Sequence, residues 1–377
     1  MSKLLSIIVP TKDRYKYLVS LMELIAEFNS EEVELVVQDN SDDNSSFLSL
    51  LEERKYPFVV YNYHKGQLPM SVNADKAILN SNGEYVCFIG DDDGVTVDII
   101  ECAKYMKYNN IDAMRSTPAS YYWPEVGSSR FVYLGGRCVY DKPKSSIKES
   151  STKDALDKLL RIGFIDRGDL PLVYHGIVSR RALNLVYEKV NTFFPGSSPD
   201  ISSGVALSFV IDKVYRYNKI VTFSGASKFH GGGVYTLGKK HPDLVDIKWL
   251  LPGAVDNWDS RLPKIGEGDP IWCDSSIKTL SRMGRADLID QINFENLYVH
   301  FALQNKDLKY MSLELTKNKF LFIMRYSIRL VGWNFNGVCE MLWGKFNKIP
   351  WRHTKTGLEN IKDASAYLHS VNLRFSK

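Results

Sequence analysis

Short apolar runs alternate with stretches of helical periodicity over roughly the first 110 residues of the chain. The mostly apolar runs predict buried strands at 4–9, 33–37, 58–63 and 85–89. Between them, apolar residues recur at three- and four-residue spacing, which predicts helices at about 15–28, 47–53, 71–79 and 97–108. Because strands that alternate with helices form βαβ units, we predict an α/β fold with a mainly parallel sheet.

The rest of the chain has a different pattern. Between 111 and 240, Gly and Pro interrupt the apolar periodicity repeatedly, and long connections of this kind commonly build a substrate pocket. Helical periodicity returns after about 240. We therefore predict one domain at 1–240, with halves at 1–110 and 111–240, followed by a helical C-terminal region at 241–377.

Three consecutive carboxylates, Asp91–Asp93, follow the apolar run 85–89 and lie between two glycines. Like charges at the end of a buried strand repel one another, and their removal from water costs free energy. A divalent cation with oxygen ligands is the natural counter-charge. The polar segments 11–14 and 39–43 also follow strands, and ligands of such sheets bind beyond the carboxyl ends of the strands. The sequence therefore predicts a metal and phosphate site at this edge.

Composition excludes several classes of protein. The hydrophobic fraction of 44% and charged fraction of 24% are ordinary for a soluble domain, and a net charge of +4 is too small to indicate nucleic-acid binding. Five scattered cysteines without a Cys-x-x-Cys pair fit neither a disulfide framework nor a zinc site. No apolar run reaches about 18 residues, and no signal peptide is apparent. We expect a cytoplasmic protein that does not span a membrane.

Three segments resemble family 2 glycosyltransferases in their order and spacing, namely 6–14, 36–41 and 83–93. The resemblance implies a GT-A fold, which is Rossmann-like, with a mainly parallel mixed sheet flanked by helices. It also implies a nucleotide-sugar donor and a divalent metal cofactor, Mn²⁺ or Mg²⁺. On this basis the donor belongs to the half at 1–110 and the acceptor to the half at 111–240.

The resemblance assigns donor-binding roles to residues of the first half. Pro10, Thr11 and Arg14 match the first nucleotide-contacting loop, and Asp39 matches an acidic residue that contacts the base or ribose. A helix N-cap for Thr11 and a turn for Asp39 are the plain structural alternatives.

The acidic triplet matches the Asp-x-Asp signature of the family in either of two registers, which the sequence leaves open. We expect Asp93 to be a direct metal ligand and Asp91 to contact metal and ribose, with Asp92 beside the donor.

The resemblance also implies residues after the signature. Asp200 stands where the family places its catalytic base, although Pro199 replaces the first carboxylate of the common Glu-Asp pair. His230 matches an additional metal ligand, and Lys239 lies in the following glycine-rich segment, from which it reaches phosphate. A helix cap for Asp200 and a structural histidine at 230 are the alternatives.

Two further segments keep two interpretations each. The segment 166–169 either lines the acceptor site or, as the plainer interpretation, forms a surface turn. His175 either contacts the acceptor or the metal or, as the plainer interpretation, is a partly buried structural histidine.

The C-terminal region is basic and aromatic. Between 306 and 355 it carries ten Lys or Arg against three Asp or Glu, interleaved with Trp, Phe and Tyr. This composition suits peripheral contact with an anionic bilayer, and a helical subdomain packed on the catalytic domain is the alternative. Nucleic-acid binding has no supporting motif.

We therefore expect a metal-dependent, inverting glycosyltransferase of surface-polysaccharide biosynthesis, such as O-antigen or capsule. It would move a sugar from a nucleotide-sugar donor, with UDP-sugars favoured, to a hydroxyl of a polysaccharide or lipid-linked oligosaccharide. One alternative is a sugar-phosphate nucleotidyltransferase, although its glycine-rich N-terminal loop is absent. Another is a non-catalytic, nucleotide-sugar-binding membrane scaffold.

Overall fold

The computed structural model describes residues 3–127, 134–228, 243–266, 268–304, 306–344 and 353–375. Its strands are β1 (Leu5–Thr11), β2 (Val33–Asp39), β3 (Val59–Tyr63), β4 (Tyr85–Phe88), β5 (Gly94–Val95), β6 (Ala113–Arg115), β7 (Ala119–Tyr122), β8 (Arg137–Tyr140), β9 (Lys148–Ser151), β10 (Gly176–Ser179), β11 (Lys213–Arg216), β12 (Thr222–Ala226) and β13 (His353–Lys355).

The helices alternate with these strands in the first half of the chain and dominate its C-terminal region. They are α1 (Tyr15–Ala26), α2 (Ser45–Arg54), α3 (Met70–Leu79), α4 (Asp98–Tyr108), α5 (Thr152–Ile162), α6 (Arg180–Val190), α7 (Pro199–Leu207), α8 (Gly268–Arg282), α9 (Phe294–Gln304), α10 (Lys306–Leu315), α11 (Lys319–Gly344) and α12 (Ile361–Phe375).

The larger sheet has the strand order β3-β2-β1-β4-β10-β6-β11-β9. Strands β3, β2, β1 and β4 are parallel, and β10 runs antiparallel to both of its neighbours. Strand β1 continues to Thr11, beyond the predicted end of the strand at residue 9, and Thr11 pairs with Asp39 of β2. The register therefore brings these two polar residues side by side at the carboxyl edge.

Successive residues of the central strands enter different cores. Ile7 and Val9 of β1 pack in a cluster with Leu18 and Met22 of α1, whereas Ile8 packs in a cluster with residues of α3 and α6. Because side chains alternate across a strand, both faces of the sheet are covered, as parallel sheets require. The predicted α/β fold with a mainly parallel mixed sheet and flanking helices is confirmed.

The C-terminal region divides between two parts of the core. Helices α8 and α9 contribute to a cluster that also holds residues of α5 and α7. By contrast, β13 pairs with β8 in the smaller sheet, and α12 packs in the same cluster as α1. The predicted helical character of this region is confirmed, and the boundary at residue 240 stays a prediction. Within the described ranges, none of the helices combines the length and apolarity that crossing a bilayer requires.

Candidate functional site

The acidic triplet lies inside the protein at the carboxyl end of β4. Asp91, Asp92 and Asp93 are 3%, 2% and 0% exposed. A solvated loop would leave such side chains in water. The burial of three neighbouring carboxylates therefore requires specific partners for each of them.

Arg14 supplies a positive charge to two of the carboxylates. Its guanidinium lies 3.2 Å from Asp91 Oδ1 and 2.6 Å from Asp92 Oδ2. Burial opposes the charge of Arg14, but the two aspartates outweigh it and raise the pKa of the guanidinium. Residues 14, 91 and 92, which the sequence assigned to the donor, thus form one buried ionic cluster.

One oxygen of Asp91 makes no hydrogen bond with the described part of the chain. Thr11 Oγ1 donates to its Oδ2 at 2.7 Å, whereas its buried Oδ1 has only the ionic contact with Arg14. Burial raises the pKa of Asp91 to about 7, and the charge of Arg14 opposes that rise. A second cation near this oxygen would favour the ionised form.

Asp92 is fixed through its side chain and its backbone. Ser227 Oγ donates to Asp92 Oδ2 at 2.6 Å, and Trp123 Nε1 donates to the Asp92 carbonyl at 2.9 Å. A Cβ atom at Gly225 would lie 1.6 Å from that carbonyl oxygen. Only glycine therefore fits where β12 passes the acidic loop.

Asp93 is surrounded by groups of the protein itself. The backbone N–H groups of Gly90 and Gly225 each donate to it at 2.7 Å, Tyr174 Oη donates at 3.0 Å, and His175 Nε2 lies at 3.1 Å. Burial opposes ionisation, but His175 and the two N–H groups outweigh it and lower the pKa of Asp93. This carboxylate holds the acidic loop to β12 and to the segment before β10.

Asp39 is fully buried at the neighbouring strand end. Its Oδ2 accepts hydrogen bonds from Tyr15 and Tyr61, both at 2.7 Å, and its Oδ1 accepts the Ser41 N–H at 2.8 Å. Burial first, and then the Asp39 carboxylate, raises the pKa values of both tyrosines, which keeps them as donors. Pro10 precedes Thr11 on β1, at the same edge of the sheet.

Asp200 lies in the first turn of α7. It is the second residue of α7, whose N-cap is Ser198, so it does not occupy the predicted cap position. Burial raises the pKa of Tyr174, and the charges of Asp93 and Asp200 raise it further. The tyrosine ring therefore lies within electrostatic range of both carboxylates. His230 and Lys239 fall outside the described residues.

The structure adds partners that sequence reasoning missed. Tyr174, Gly225 and Ser227 complete the environment of the acidic loop, although none belongs to a recognisable motif. His175 has a positive φ of 55°, which is rare for a non-glycine residue. In this conformation the ring of His175 lies beside Asp93, and no pattern in the sequence predicts it.

The residues present fit a cation at one carboxylate. No group of three or more His, Cys, Asp or Glu side chains within the described ranges has a metal-binding arrangement. Mg²⁺ in phosphate sites, however, is commonly held by one or two carboxylates together with substrate phosphates. Asp91 Oδ1 offers such an oxygen, whereas the oxygens of Asp93 face four protein groups.

Residues 6–126 match the family described as Glycosyl transferase family 2. Glycosyltransferase GlyG of Streptococcus pneumoniae serotype 4 (strain ATCC BAA-334 / TIGR4) is 28% identical over 144 residues, which make up 37% of this chain. The chain spans about half the length of this curated relative, namely 47%.

Solved structures with a similar chain course include S. aureus TarS. Its 1-349 form in complex with UDP-GlcNAc aligns with a TM-score of 0.49 and 13% identity, covering 88% of this chain and 92% of that chain. The same form in complex with UDP has a TM-score of 0.44 and 14% identity, with the same coverage.

Proposed function

We propose that the protein moves a sugar from a nucleotide-sugar donor to an acceptor hydroxyl, because residues 6–126 match the glycosyl transferase family 2 model. The observation that carries this proposal is the buried ionic cluster of Arg14, Asp91 and Asp92 at the carboxyl edge of the sheet. The resemblance favours a UDP-sugar as donor. It favours a polysaccharide or lipid-linked oligosaccharide as acceptor, of the O-antigen or capsule type.

On the donor side, we assign Asp91 to the metal and Asp93 to the support of the loop. Asp91 would hold Mn²⁺ or Mg²⁺ together with phosphate oxygens of the donor, because its Oδ1 is buried without a hydrogen bond. A bound ion supplies charge stabilisation to a diphosphate leaving group. Thr11 and Arg14 orient the Asp91 carboxylate.

On the acceptor side, we assign Asp200 as the base of an inverting transfer. It takes the proton of the attacking hydroxyl, so that the new bond forms on the face opposite the leaving nucleotide. Its place in the first turn of α7, within electrostatic range of Tyr174, supports this role.

A membrane contact through α11 agrees with a lipid-linked acceptor. Phe320, Ile328 and Val331 are 80%, 65% and 72% exposed on this helix. From 315 to 339 the chain has Lys317, Lys319 and two arginines but no acidic residue. Apolar side chains with basic neighbours suit the headgroup region of an anionic bilayer.

The test is metal-dependent nucleotide binding followed by transfer. We expect UDP with Mn²⁺ to raise the melting temperature of the protein, because UDP binds the folded state. Asp91→Asn should remove the Mn²⁺-dependent part of the shift, whereas Asp75→Asn, a carboxylate of α3 outside the site, should keep it. A shift that Asp91→Asn leaves intact would contradict the metal assignment. Pyrophosphate release from UTP and a sugar phosphate would support the nucleotidyltransferase instead.

A further inference from the structure

Arg167 has a guanidinium group that the protein positions but does not pair. It lies in the segment between α5 and β10, with its Cζ 5.7 Å from the ring centroid of Tyr174 and 5.5 Å from that of Trp272. Both distances are within the range of cation–π contacts. Among the described residues, no hydrogen bond or ion pair of its side chain is present. This half-buried guanidinium therefore has five N–H donors that are available to water or to a ligand.

The position of Arg167 connects it with the proposed chemistry. Tyr174, whose ring Arg167 contacts, donates its hydroxyl hydrogen to Asp93. The pKa of that hydroxyl responds to burial first, then to the charges of Asp93, Asp200 and Arg167. Arg167 therefore contacts the ring of Tyr174, whose hydroxyl is also affected by the charge of Asp200, the proposed base.

Two further arginines make the surroundings of Arg167 electropositive. Arg216 pairs with Asp169 at 2.6 Å, and Arg115 donates to the carbonyl of Gly168 without an ion pair in the described part of the chain. Burial, and then the charges of Arg216 and Arg167, lowers the pKa of Arg115 to about 9. An anion bound here would relieve this repulsion.

Two local carboxylates, Asp166 and Asp169, offset only part of the charge of the three arginines. Asp166 Oδ1 accepts the N–H of Gly168 at 2.6 Å, within its own turn, and Asp169 is the partner of Arg216. Neither forms an ion pair with Arg167 in the described structure.

The location favours the acceptor over the donor. The ionic cluster assigned to the donor consists of Asp91, Asp92 and Arg14, which lies between β1 and α1. Arg167 lies instead in the second half of the domain, and Trp272 beneath it belongs to α8. Planar guanidinium groups recognise phosphate and carboxylate through paired hydrogen bonds.

We propose that Arg167 binds an anionic group of the acceptor, so that the enzyme acts on an acidic glycan. The group is a phosphate of a phosphorylated glycan or the carboxylate of a uronic acid. This inference rests on the proposed function, since it assumes that an acceptor binds beside Asp200.

The test measures anion binding and nucleotide binding separately. Glucose 6-phosphate, glucuronate and neutral glucose are titrated into the wild-type protein, with and without saturating UDP and Mg²⁺, and thermal unfolding is followed. We expect one or both acids to stabilise the protein more than glucose does. The phosphate and carboxylate arms identify the source of the charge.

The variants are Arg167→Gln, Arg167→Lys and Arg161→Gln, the last being an exposed arginine of α5 that serves as the matched control. Arg167→Gln should raise the apparent Kd of the acid about tenfold or more, because the charge-assisted hydrogen bonds between the guanidinium and the acid are lost. Arg167→Lys should recover part of the loss, and Arg161→Gln should show none. The Kd of UDP should stay within about twofold in all three variants.

Three results would overturn the inference: no preference for either acid over glucose, equal losses in Arg167→Gln and Arg161→Gln, or weaker UDP binding in Arg167→Gln. The last result would assign Arg167 to the donor. Failure of the wild-type protein to bind UDP would contradict the proposed function instead, since the acids are also titrated without UDP.

Discussion

Asp91 and Asp93 are two positions apart in one loop and have opposite electrostatic environments. Burial raises the pKa of Asp91 to about 7, whereas His175 and two backbone N–H groups outweigh burial and lower the pKa of Asp93. The two aspartates therefore have different environments. Asp91 contacts Arg14 and has an oxygen without a hydrogen bond in the described structure, whereas Asp93 accepts hydrogen bonds from the protein. A sequence motif alone does not distinguish them.

This contrast predicts opposite effects of two matched substitutions on stability. Asp93→Asn should lower the free energy of unfolding by about 3 kcal/mol, because an amide places N–H against N–H donors in a buried network. Asp91→Asn should leave it unchanged or raise it, because burial makes the folded state favour the neutral form of this side chain. Urea unfolding at pH 8 measures both. A stable Asp93→Asn protein with lost metal response would restore Asp93 as the ligand.

Asp200→Asn should separate catalysis from binding. We expect the Kd of UDP to stay within about threefold, whereas transfer falls by at least about 100-fold, since the acceptor loses its base. Isothermal titration and a transfer assay measure the two effects. Ser198→Ala, at the N-cap of the same helix, is the control, because its side chain makes no capping hydrogen bond in the described structure and both values should stay near those of the wild-type protein. Unfolding of Asp200→Asn in place of lost turnover would indicate a structural residue.

Asp75 in α3 predicts a pH dependence of stability away from the site. Its carboxylate accepts hydrogen bonds from Thr192 Oγ1 and the Phe193 N–H, yet burial dominates and raises its pKa to about 6. The folded protein therefore holds this proton more tightly than the unfolded chain does. The contribution of Asp75 to stability falls as pH rises from about 4 to about 6, by about 1 to 3 kcal/mol.

Replacement of the carboxylate by an amide should remove that slope. Urea unfolding of the wild-type protein and of Asp75→Asn at pH 4.5 and about 7 should show a smaller difference in the variant. Equal differences would show that Asp75 does not titrate in this range.

At the scale of elements, α12 is attached to α4 and to the segment before β12 by buried polar contacts. Asn372 Nδ2 donates to Asp98 Oδ2 and to the Ile220 carbonyl, both at 2.8 Å, and Asn372 Oδ1 accepts the Ile220 N–H at 2.9 Å. His369 Nδ1 lies 2.7 Å from the same Asp98 oxygen. Asp98 is the first residue of α4, the helix that follows the acidic loop. Helix α12 therefore supports the element next to the site.

Asn372→Ala should therefore destabilise the whole protein. We expect a loss of about 2 to 3 kcal/mol, because the substitution leaves the buried Ile220 N–H without its acceptor, whereas the Ile220 carbonyl keeps the hydrogen bond from Thr96 Oγ1. The neighbouring Leu373 is 53% exposed, so Leu373→Ala is the control and should cost less than about 1 kcal/mol. Equal effects of the two substitutions on urea unfolding would contradict the anchoring role.

At the scale of the molecule, the proposed membrane contact can be tested separately from folding. A truncation after α10 would also remove α12, whose side chains pack in the hydrophobic cluster that includes α1. Point substitutions are therefore the better test. The combined variant Phe320→Ser, Ile328→Ser and Val331→Ser should fold normally, because these side chains are exposed.

We expect this variant to lose most of its binding to vesicles that contain anionic lipid. A combined variant of exposed residues elsewhere, Leu79→Ser and Tyr108→Ser, should bind like the wild-type protein. Sedimentation with vesicles at low and high salt measures the bound fraction. Equal binding of the two variants would indicate that α11 serves another purpose.

The sequence predicted the parts of the molecule that local patterns encode. The strands that became β1, β2 and β4 were found from their apolar runs, and Arg14 and Asp91 were assigned to one site, where they meet. The partners of the acidic loop were missed because they are distant in the chain. Tyr174 lies 81 positions from Asp93, and Ser227 lies 135 positions from Asp92. No local sequence pattern predicts contacts between residues so far apart in the chain.

The contact between Asp98 and Asn372 also has a consequence for synthesis on the ribosome. The two residues are 274 positions apart, so a nascent chain exposes Asp98 long before its amide partner is translated. A premature stop before α12 would yield a polypeptide with the whole acidic loop but without the helix behind it. Such a product should be cleared by cellular proteases rather than persist as a partly active enzyme.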